Sequence, residues 1–397
     1  MNELLDAGDY FTLETVLKDS GSRLPEAKRL YFKAHLENAF NQTEQSLQTI
    51  DLLFSKYKKS LNVVRRFSLL RIKCDNHRKQ FEYRQSVEAL DAMFPLAKSS
   101  FVLEELKRIY QEHDSLKNVP PQKFFHTTDA VIPVKKTKDG LLTMQVVCNG
   151  VTEEFLFDTG ATNSAIAESV AERMGIKPLD GVSRVTAGTG IRVETKLGVA
   201  DSLRINSLLF ENVVFNILPD RQLIFPGDST RGIIGFNLMN QMKEIRIDHK
   251  AGNIIVPQTP VKRDLHNLFL NGGDLVVQLE SGQDTLLFSL DTGADLSSFS
   301  KKYFDAHHEK IIEKGQRMIV PRYGVGGGHM TELYRLTGVL FKIDGFEMTL
   351  PKIDIATQDI PHAKNRDGLL GRDVLMHSDE MILNFESMYL ILRNKKE

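Results

Sequence analysis

The chain has 397 residues, of which 41% are hydrophobic and 26% charged, and its formal net charge is −1. This size and composition predict two or three soluble globular domains, and the near-zero charge gives no electrostatic case for binding nucleic acid. No run approaches the roughly 18 apolar residues of a membrane span. The polar start does not resemble a signal peptide, which leaves two compartments open: the cytoplasm, or the periplasm or cell exterior if a signal was removed earlier.

Residues 1–117 are predicted to form an all-α helical domain, because apolar residues recur there at helical spacing. Two sets of these positions align after a shift of 40 residues, so that Ser46 corresponds to Ser86. Such a shift is typical of stacked helix pairs in a solenoid and weakly resembles tetratricopeptide repeats. A plain helical bundle explains the pattern equally well.

Two adjacent prolines then end the helical pattern, and residues 118–127 are predicted to be a linker. Beyond them, short β-rich runs alternate with glycine and asparagine turns, which indicates a mainly-β structure. A second break separates two parts of similar length. We therefore predict a first lobe at 128–257, an interlobe linker at 258–268 and a second lobe at 269–397.

The two lobes share a motif. Asp-Thr-Gly-Ala occurs at 158–161 and again at 291–294, each time after an apolar run. Each copy is followed by two apolar residues and a glycine, at 233–235 and at 369–371. The aspartates are 133 positions apart and the downstream glycines 136. Two homologous lobes explain this agreement better than coincidence does.

Over residues of about 128–397, these motifs resemble the aspartic peptidases of the pepsin and retropepsin group. The resemblance implies a two-lobed acid-protease fold in which each lobe supplies one catalytic aspartate, here Asp158 and Asp291. Such a pair shares one proton and activates water against a peptide bond, with no cofactor and no metal. A catalytically inactive peptide-binding or scaffold protein on the same fold is the alternative, which two intact motifs disfavour.

The other motif residues have supporting roles in this resemblance. Gly160 and Gly293 let the backbone of each loop approach its counterpart without a β-carbon in the way. Thr159 and Thr292 are expected to bond across to the opposite loop and to lock the pair; a threonine that caps its own turn is the other interpretation.

Ala161 and Ala294 follow the two glycines. Pepsin-like enzymes usually place serine or threonine there, and the hydroxyl stabilises the ionised carboxylate and lowers its pKa. Retropepsins have alanine, as this chain does. We therefore expect a pH optimum less acidic than that of pepsin.

The second lobe adds a charged pair, Asp295 and Arg372, at positions where retropepsins pair an aspartate with an arginine beneath the active site. The first lobe has Thr162 and Phe236 at the matching positions. Because both members differ together, we expect Asp295 and Arg372 to form an ion pair.

Each lobe also contains a glycine-rich hairpin tip between its aspartate and its downstream glycine. Such tips suit a mobile flap over an extended peptide, although an ordinary flexible hairpin has the same composition. Pepsin carries a flap tyrosine in its first lobe, whereas here the tyrosine lies in the second lobe, so the identity of the closing flap stays open. The flap candidates are Gly188, Thr189 and Gly190 in the first lobe, and Tyr323, Gly324 and Gly326 in the second.

The expected partner is a peptide or protein substrate. The helical domain could recruit that substrate, bind a protein partner or cover the cleft as a pro-segment would. Cys74 and Cys148 lie in different predicted domains, and we expect both to be buried free thiols.

Overall fold

The computed structural model describes residues 1–181, 183–186, 190–223, 230–324, 327–359 and 365–395. They form an N-terminal helical region followed by two mainly-β lobes, so the predicted architecture is confirmed. The chain divides into two compact units. The first unit comprises Met1–Gln122, Leu179–Ser183 and Phe269–Gly272, and the second comprises Lys123–Pro178, Arg184–Leu268 and Gly273–Glu397.

The first unit is mainly α-helical. Its helices are α1 (Asn2–Ala7), α2 (Tyr10–Ser20), α3 (Glu26–Ala39), α4 (Thr43–Lys56), α5 (Val63–Lys79), α6 (Tyr83–Met93) and α7 (Ser100–Leu116). Asp9, Asn62 and Ser99 cap the starts of α2, α5 and α7, each side chain accepting a hydrogen bond from a backbone amide three residues on. Among the described residues, no helix is long and apolar enough to cross a membrane.

Two helix hairpins in this unit turn in the same way. Asn41, between α3 and α4, and Phe81, between α5 and α6, both have left-handed backbone with φ of 59°. The amide of the following residue bonds five residues back, at 2.7 Å in the first hairpin and 2.8 Å in the second. These turns lie at the same 40-residue spacing as Ser46 and Ser86. The helical-repeat interpretation, with its tetratricopeptide resemblance, stays a prediction.

A hydrophobic cluster joins α5, α6 and α7. Its buried members are Leu70, Cys74, Ala89, Leu90, Met93 and Leu106. Cys74 is a free thiol within this cluster, and Cys148 is a buried free thiol in the first lobe. Burial in these surroundings raises the pKa of the Cys74 thiol to about 12, so we assign it a packing role.

The first lobe contains two long antiparallel strands and several shorter ones. Its elements are β1 (Lys123–Phe125), β2 (Ala130–Pro133), β3 (Lys135–Lys136), β4 (Leu142–Cys148), β5 (Val151–Phe157), β6 (Ala165–Ala167), α8 (Glu168–Arg173), β7 (Lys177–Pro178), β8 (Ser183–Thr186), β9 (Arg192–Ile205), β10 (Leu208–Leu218), β11 (Gly232–Ile234), α9 (Phe236–Met242), β12 (Glu244–Asp248) and β13 (Asn253–Val256). The main sheet has the order β1-β10-β6-β11-β5-β4-β9-β7. The strand β1 lies inside the predicted linker 118–127, where Phe124 stacks on Phe210 of β10 with ring centroids 4.7 Å apart.

The second lobe repeats this plan. Its elements are β14 (Leu268–Asn271), β15 (Asp274–Ser281), β16 (Asp284–Leu290), β17 (Ser298–Phe299), α10 (Lys301–Lys314), β18 (Gln316–Gly324), β19 (Gly327–Ile343), β20 (Phe346–Ala356), β21 (Gly368–Leu370), α11 (Arg372–Leu375), β22 (Glu380–Asn384) and β23 (Tyr389–Arg393). The sheet order is β14-β15-β16-β21-β17-β20-β19-β18.

A third sheet joins the lobes in the order β2-β13-β12-β22-β23. The two central strands, β12 and β22, are the segments that match at a shift of 136 residues. They pair antiparallel, and Arg246 lies opposite Ile382, which is its own counterpart in the repeat. Because a residue that faces its counterpart lies on a two-fold axis, this register gives the two lobes an approximate two-fold symmetry.

The motif strands have the same topology in both lobes. In the first lobe β11 lies parallel to β5 and antiparallel to β6. In the second, β21 lies parallel to β16 and antiparallel to β17. The amide of Asp158 bonds the carbonyl of Ile234 at 3.1 Å, and the amide of Asp291 bonds that of Leu370 at 3.0 Å. The downstream apolar pair of each lobe therefore holds the strand that delivers its aspartate.

Candidate active site

The two motif aspartates lie in matching tight loops. Asp158 follows β5 and Asp291 follows β16, and each bends back on its own loop. The amide of Gly160 donates to Asp158 Oδ1, and the amide of Gly293 donates to Asp291 Oδ1, both at 2.8 Å. Each loop thus fixes one carboxylate oxygen and leaves the other free to meet the opposite lobe.

The glycines show how close the loops are. A β-carbon added to Gly160 would lie 2.6 Å from Cγ of Asp291, and one added to Gly293 would lie 2.7 Å from Cγ of Asp158. Real β-carbons essentially never come this near to another heavy atom. Any larger residue at either glycine would therefore displace the opposite carboxyl group.

The motif threonines tie the loops together in both directions. The amide of Thr159 donates to Oγ1 of Thr292, and the amide of Thr292 donates to Oγ1 of Thr159, both at 3.0 Å. Each hydroxyl then donates to the opposite strand, to the carbonyl of Leu290 at 3.0 Å and to that of Phe157 at 3.1 Å. Both threonines are buried, so these four bonds form a shielded lock beneath the carboxylates.

The carboxyl groups are hydrogen-bonded to each other and share one environment. Burial raises the pKa of Asp291, and the neighbouring Asp158 carboxylate raises it further. Burial also raises the pKa of Asp158, although backbone amides partly counter the effect by bonding its charged form. Because two adjacent carboxyl groups cannot both ionise readily, we expect the pair to hold a single proton, and the additional increase in pKa caused by Asp158 makes Asp291 the expected protonated member. Both side chains keep partial exposure to solvent, which gives water access.

Residues 130–238 match the sequence model of the Aspartyl protease family. The match includes the motif at Asp158 and the downstream Gly235, and it supports an aspartyl protease fold. No curated protein sequence matches the chain. Among solved structures, the crystal structure of Basic 7S globulin from soybean is similar at 10% sequence identity, over 68% of this chain and 96% of that chain, with a TM-score of 0.43.

A serine in each lobe supports the glycine downstream of the motif, and the sequence analysis did not identify either serine. In the first lobe Ser164 bonds Asn237 Oδ1 through both its amide and its hydroxyl, each at 2.8 Å, and its Oγ accepts from the amide of Gly235. In the second lobe Ser297 does the same with Asp373 and Gly371. The two serines are 133 positions apart, and their partners Asn237 and Asp373 are 136 positions apart. These spacings match those of the motif aspartates and downstream glycines, and they are the signal in the sequence from which the serines could have been identified.

The two motif alanines use their backbone to hold the downstream segment. The carbonyl of Ala161 accepts from the amide of Phe236 at 2.7 Å, and that of Ala294 accepts from Arg372 at 3.0 Å. Their methyl side chains carry no hydroxyl, so these positions offer the carboxylates no side-chain donor; the backbone amide of Ala294 donates to Asp291 Oδ1 at 3.1 Å.

The structure brings Asp295 and Arg372 together as an ion pair. The two members differ in environment: the Arg372 side chain is 7% exposed and that of Asp295 is 69% exposed. Arg372 also donates to the carbonyl of Asp139 in the first lobe at 2.8 Å. In the first lobe Phe236 instead packs edge-on against Phe385, with ring centroids 5.3 Å apart, so an aromatic contact replaces the ion pair.

The flap candidates are only partly covered by the described residues. Gly188, Thr189 and Gly326 lie outside them, while Gly190 has a left-handed backbone with φ of 83°. In the second lobe β18 and β19 pair continuously up to Gly324, which lies opposite Gly327, with Tyr323 one position before it. Their role as flaps stays a prediction.

The described residues contain no group of three or more His, Cys, Asp or Glu side chains arranged to hold a metal ion.

Proposed function

We propose that this chain is an aspartic endopeptidase, which hydrolyses peptide bonds with a water molecule activated by Asp158 and Asp291. The observation that carries the proposal is the reciprocal approach of the two loops, in which Gly160 and Gly293 each lie against the opposite carboxyl group. The family match over the first lobe supports the same activity.

The proposed reaction uses both protonation states of the pair. The Asp158 carboxylate takes a proton from water as the water oxygen attacks the scissile carbonyl carbon, while the proton of Asp291 passes to the carbonyl oxygen and gives a neutral diol. Asp158 then returns its proton to the amide nitrogen and Asp291 recovers one from the diol as the carbon–nitrogen bond breaks. The products are an acid and an amine, with no covalent enzyme intermediate.

The test is cleavage of a disordered, fluorophore-quenched polypeptide by the full chain, with and without pepstatin. We expect cleavage that pepstatin blocks and that Asp158→Asn and Asp291→Asn each abolish. Asp344→Asn is the matched control, because Asp344 is exposed in a turn with φ of 45°, a conformation that asparagine tolerates.

Binding of the polypeptide without cleavage, unchanged by Asp158→Asn, would overturn the enzymatic proposal and favour an inactive peptide-binding protein. Loss of cleavage in the Asp344→Asn control would show that the assay reports folding and not the pair.

A further inference from the structure

The side chain that supports the downstream segment is an amide in one lobe and a carboxyl group in the other. Asn237 is the second residue of α9, and Asp373 is the second residue of α11. Each accepts two hydrogen bonds from a serine, Ser164 in the first lobe and Ser297 in the second. The two lobes therefore place a neutral group and an ionisable group at equivalent positions.

In the second lobe, hydrogen bonds lead from Asp373 to the loop of Asp291. Oγ of Ser297 donates to Oδ1 of Asp373 at 2.6 Å and accepts from the amide of Gly371 at 2.9 Å. The preceding residue, Leu370, accepts at its carbonyl from the amide of Asp291 at 3.0 Å. Asp373 thus acts on Asp291 through the segment between them, which makes it a positioning residue and not a catalytic one.

In the first lobe, the amide of Asn237 uses its second polar group as a donor. Its Nδ2 donates to the carbonyl of Val214 on β10 at 3.2 Å, while its Oδ1 accepts from Ser164. The side chain therefore links the serine to the neighbouring strand. Both links are available at every pH, because an amide does not ionise.

The carbonyl of Lys352 has the corresponding position in the second lobe. The residue after each supporting serine pairs with the matching strand, with Asn216 of β10 in the first lobe and with Asp354 of β20 in the second. Two positions before these residues lie Val214 and Lys352. The helix α11, which carries Asp373, packs against β20.

An ionised carboxyl group cannot imitate the amide, because it has acceptors only. Among the residues that the structure describes, the donors to Asp373 are Ser297 and Val374, and their bonds all reach Oδ1. The other oxygen, Oδ2, corresponds to Nδ2 of Asn237. With a proton on Oδ2, Asp373 accepts at one atom and donates at the other, as the amide does.

Burial raises the pKa of Asp373, whereas the hydrogen bonds from Ser297 and the charge of His377 act against that effect. Titratable groups lie on α11 itself, on the loop of Ser297, on β20 and on the turn after β12. They are Arg372, His377, Asp295, Lys352, Asp354 and His249. The two aspartates among them are each paired with an arginine.

We propose that Asp373 is a positioning residue that supports the Asp291 loop fully only when it carries a proton. The protonated side chain donates from Oδ2 to the carbonyl of Lys352 and releases that proton as the pH rises. The second lobe then loses a hydrogen bond that the first lobe keeps through Asn237. This inference rests on the proposed function, because its consequence is a pH-dependent position of the Asp291 carboxyl group.

The first test is the pH dependence of kcat/KM in Asp373→Asn, whose amide imitates the protonated side chain. The ratio of kcat/KM in this variant to that in the unmodified chain should rise between about pH 4 and about pH 7, by about two- to tenfold for one hydrogen bond. Asn237→Asp is the reciprocal change, and its ratio should fall over the same range. Asp344→Asn, an exposed turn substitution, is the control, and its ratio should not vary with pH.

The second test does not depend on activity. Hydrogen–deuterium exchange with mass spectrometry follows the backbone amides of 286–297, which include the Asp291 loop. After correction for the intrinsic effect of pH, exchange in the unmodified chain should become about two- to tenfold faster over the same pH range. Asp373→Asn should reduce this acceleration. In Asn237→Asp, the equivalent first-lobe segment 153–164 should gain such an acceleration.

The outcomes separate this inference from the proposed function. A ratio in Asp373→Asn that stays constant or falls with rising pH would overturn the inference while leaving the endopeptidase intact. If no polypeptide is cleaved but the exchange of 286–297 depends on pH through Asp373, the positioning role stands and the proposed function fails. Absence of cleavage together with identical exchange in Asp373→Asn and the unmodified chain would overturn both.

Discussion

Thr159 and Thr292 exchange hydrogen bonds in both directions, each backbone amide donating to the other's hydroxyl at 3.0 Å. The two residues are 133 positions apart in the sequence and come from different lobes. Because all four groups are buried, neither lobe can satisfy its own loop alone. The position of each motif loop, and with it that of its carboxylate, therefore depends on the opposite lobe.

We predict that Thr292→Val destabilises the protein by about 1–3 kcal/mol, because the buried amide of Thr159 loses its acceptor. The loop should also shift, and a displacement of about 1 Å is enough to lower kcat/KM by about a hundredfold. Urea unfolding and peptide cleavage measure the two effects. Thr292→Ser keeps the hydroxyl and should retain most of both; equal losses in Ser and Val would contradict the role of the hydroxyl.

The ion pair of Asp295 and Arg372 should respond unequally to its two truncations. Asp295→Ala leaves a buried guanidinium whose remaining acceptor, among the residues that the structure describes, is the Asp139 carbonyl, at a cost on the order of 1–3 kcal/mol. Arg372→Met leaves a carboxylate that is 69% exposed and readily hydrated, so its cost should be smaller. The measurement is the free energy of unfolding of both variants and of the double variant.

In that cycle, Asp295→Ala should cost little once Arg372 is methionine, since no buried charge is left without its partner. Additive losses would show that the two side chains act independently. A larger loss in Arg372→Met than in Asp295→Ala would show that packing of the arginine stem dominates over its charge.

The dyad should act at a less acidic pH than that of pepsin, whose pair titrates at about 1.5 and 4.7. Activity requires Asp158 ionised and Asp291 protonated. Since burial raises the pKa of both groups, the acid limb and the basic limb of kcat/KM both move to higher pH. Ala161→Ser and Ala294→Ser should move the acid limb back, because the added hydroxyl stabilises the carboxylate. A maximum of kcat/KM at about pH 2 in the unmodified chain would contradict this prediction.

The sequence shows the repeated parts of the site and misses the parts that depend on strand pairing. Asp158 and Asp291 are recognisable because a whole motif recurs with its lead-in strand and downstream glycine. Ser164 and Ser297 recur at the same spacing, but a single serine carries no weight until the structure shows its bonds to the next segment. The two-lobed fold is predictable for the same reason, because a motif that recurs at matched spacing indicates two homologous lobes.

The ion pair of Arg335 and Asp354 is a different case. The two residues belong to neighbouring strands whose register cannot be read from the sequence. Such a pair is brought together by strand pairing. No local pattern around either residue indicates it.

Two buried histidines make the helical unit sensitive to acid. Burial lowers the pKa of both His35 and His113 to about 4, whereas a histidine in an unfolded chain has a pKa of about 6.5. Between these two pKa values the unfolded state therefore binds more protons than the folded state. The stability that is present above about pH 6.5 is lost as the pH falls towards about 4, and each histidine contributes a loss of up to about 1.4 kcal/mol per pH unit.

The chain has no tryptophan, so Phe94→Trp, in the cluster of α5 to α7, gives a fluorescence signal from this unit alone. Urea midpoints of the Phe94→Trp protein should fall between pH 6.5 and 4, and His113→Leu should flatten the dependence because it removes one group that must be charged. His308→Gln is the control, since His308 is exposed in the second lobe. A dependence that is unchanged by His113→Leu but reduced by His308→Gln would place the titrating group outside the helical unit.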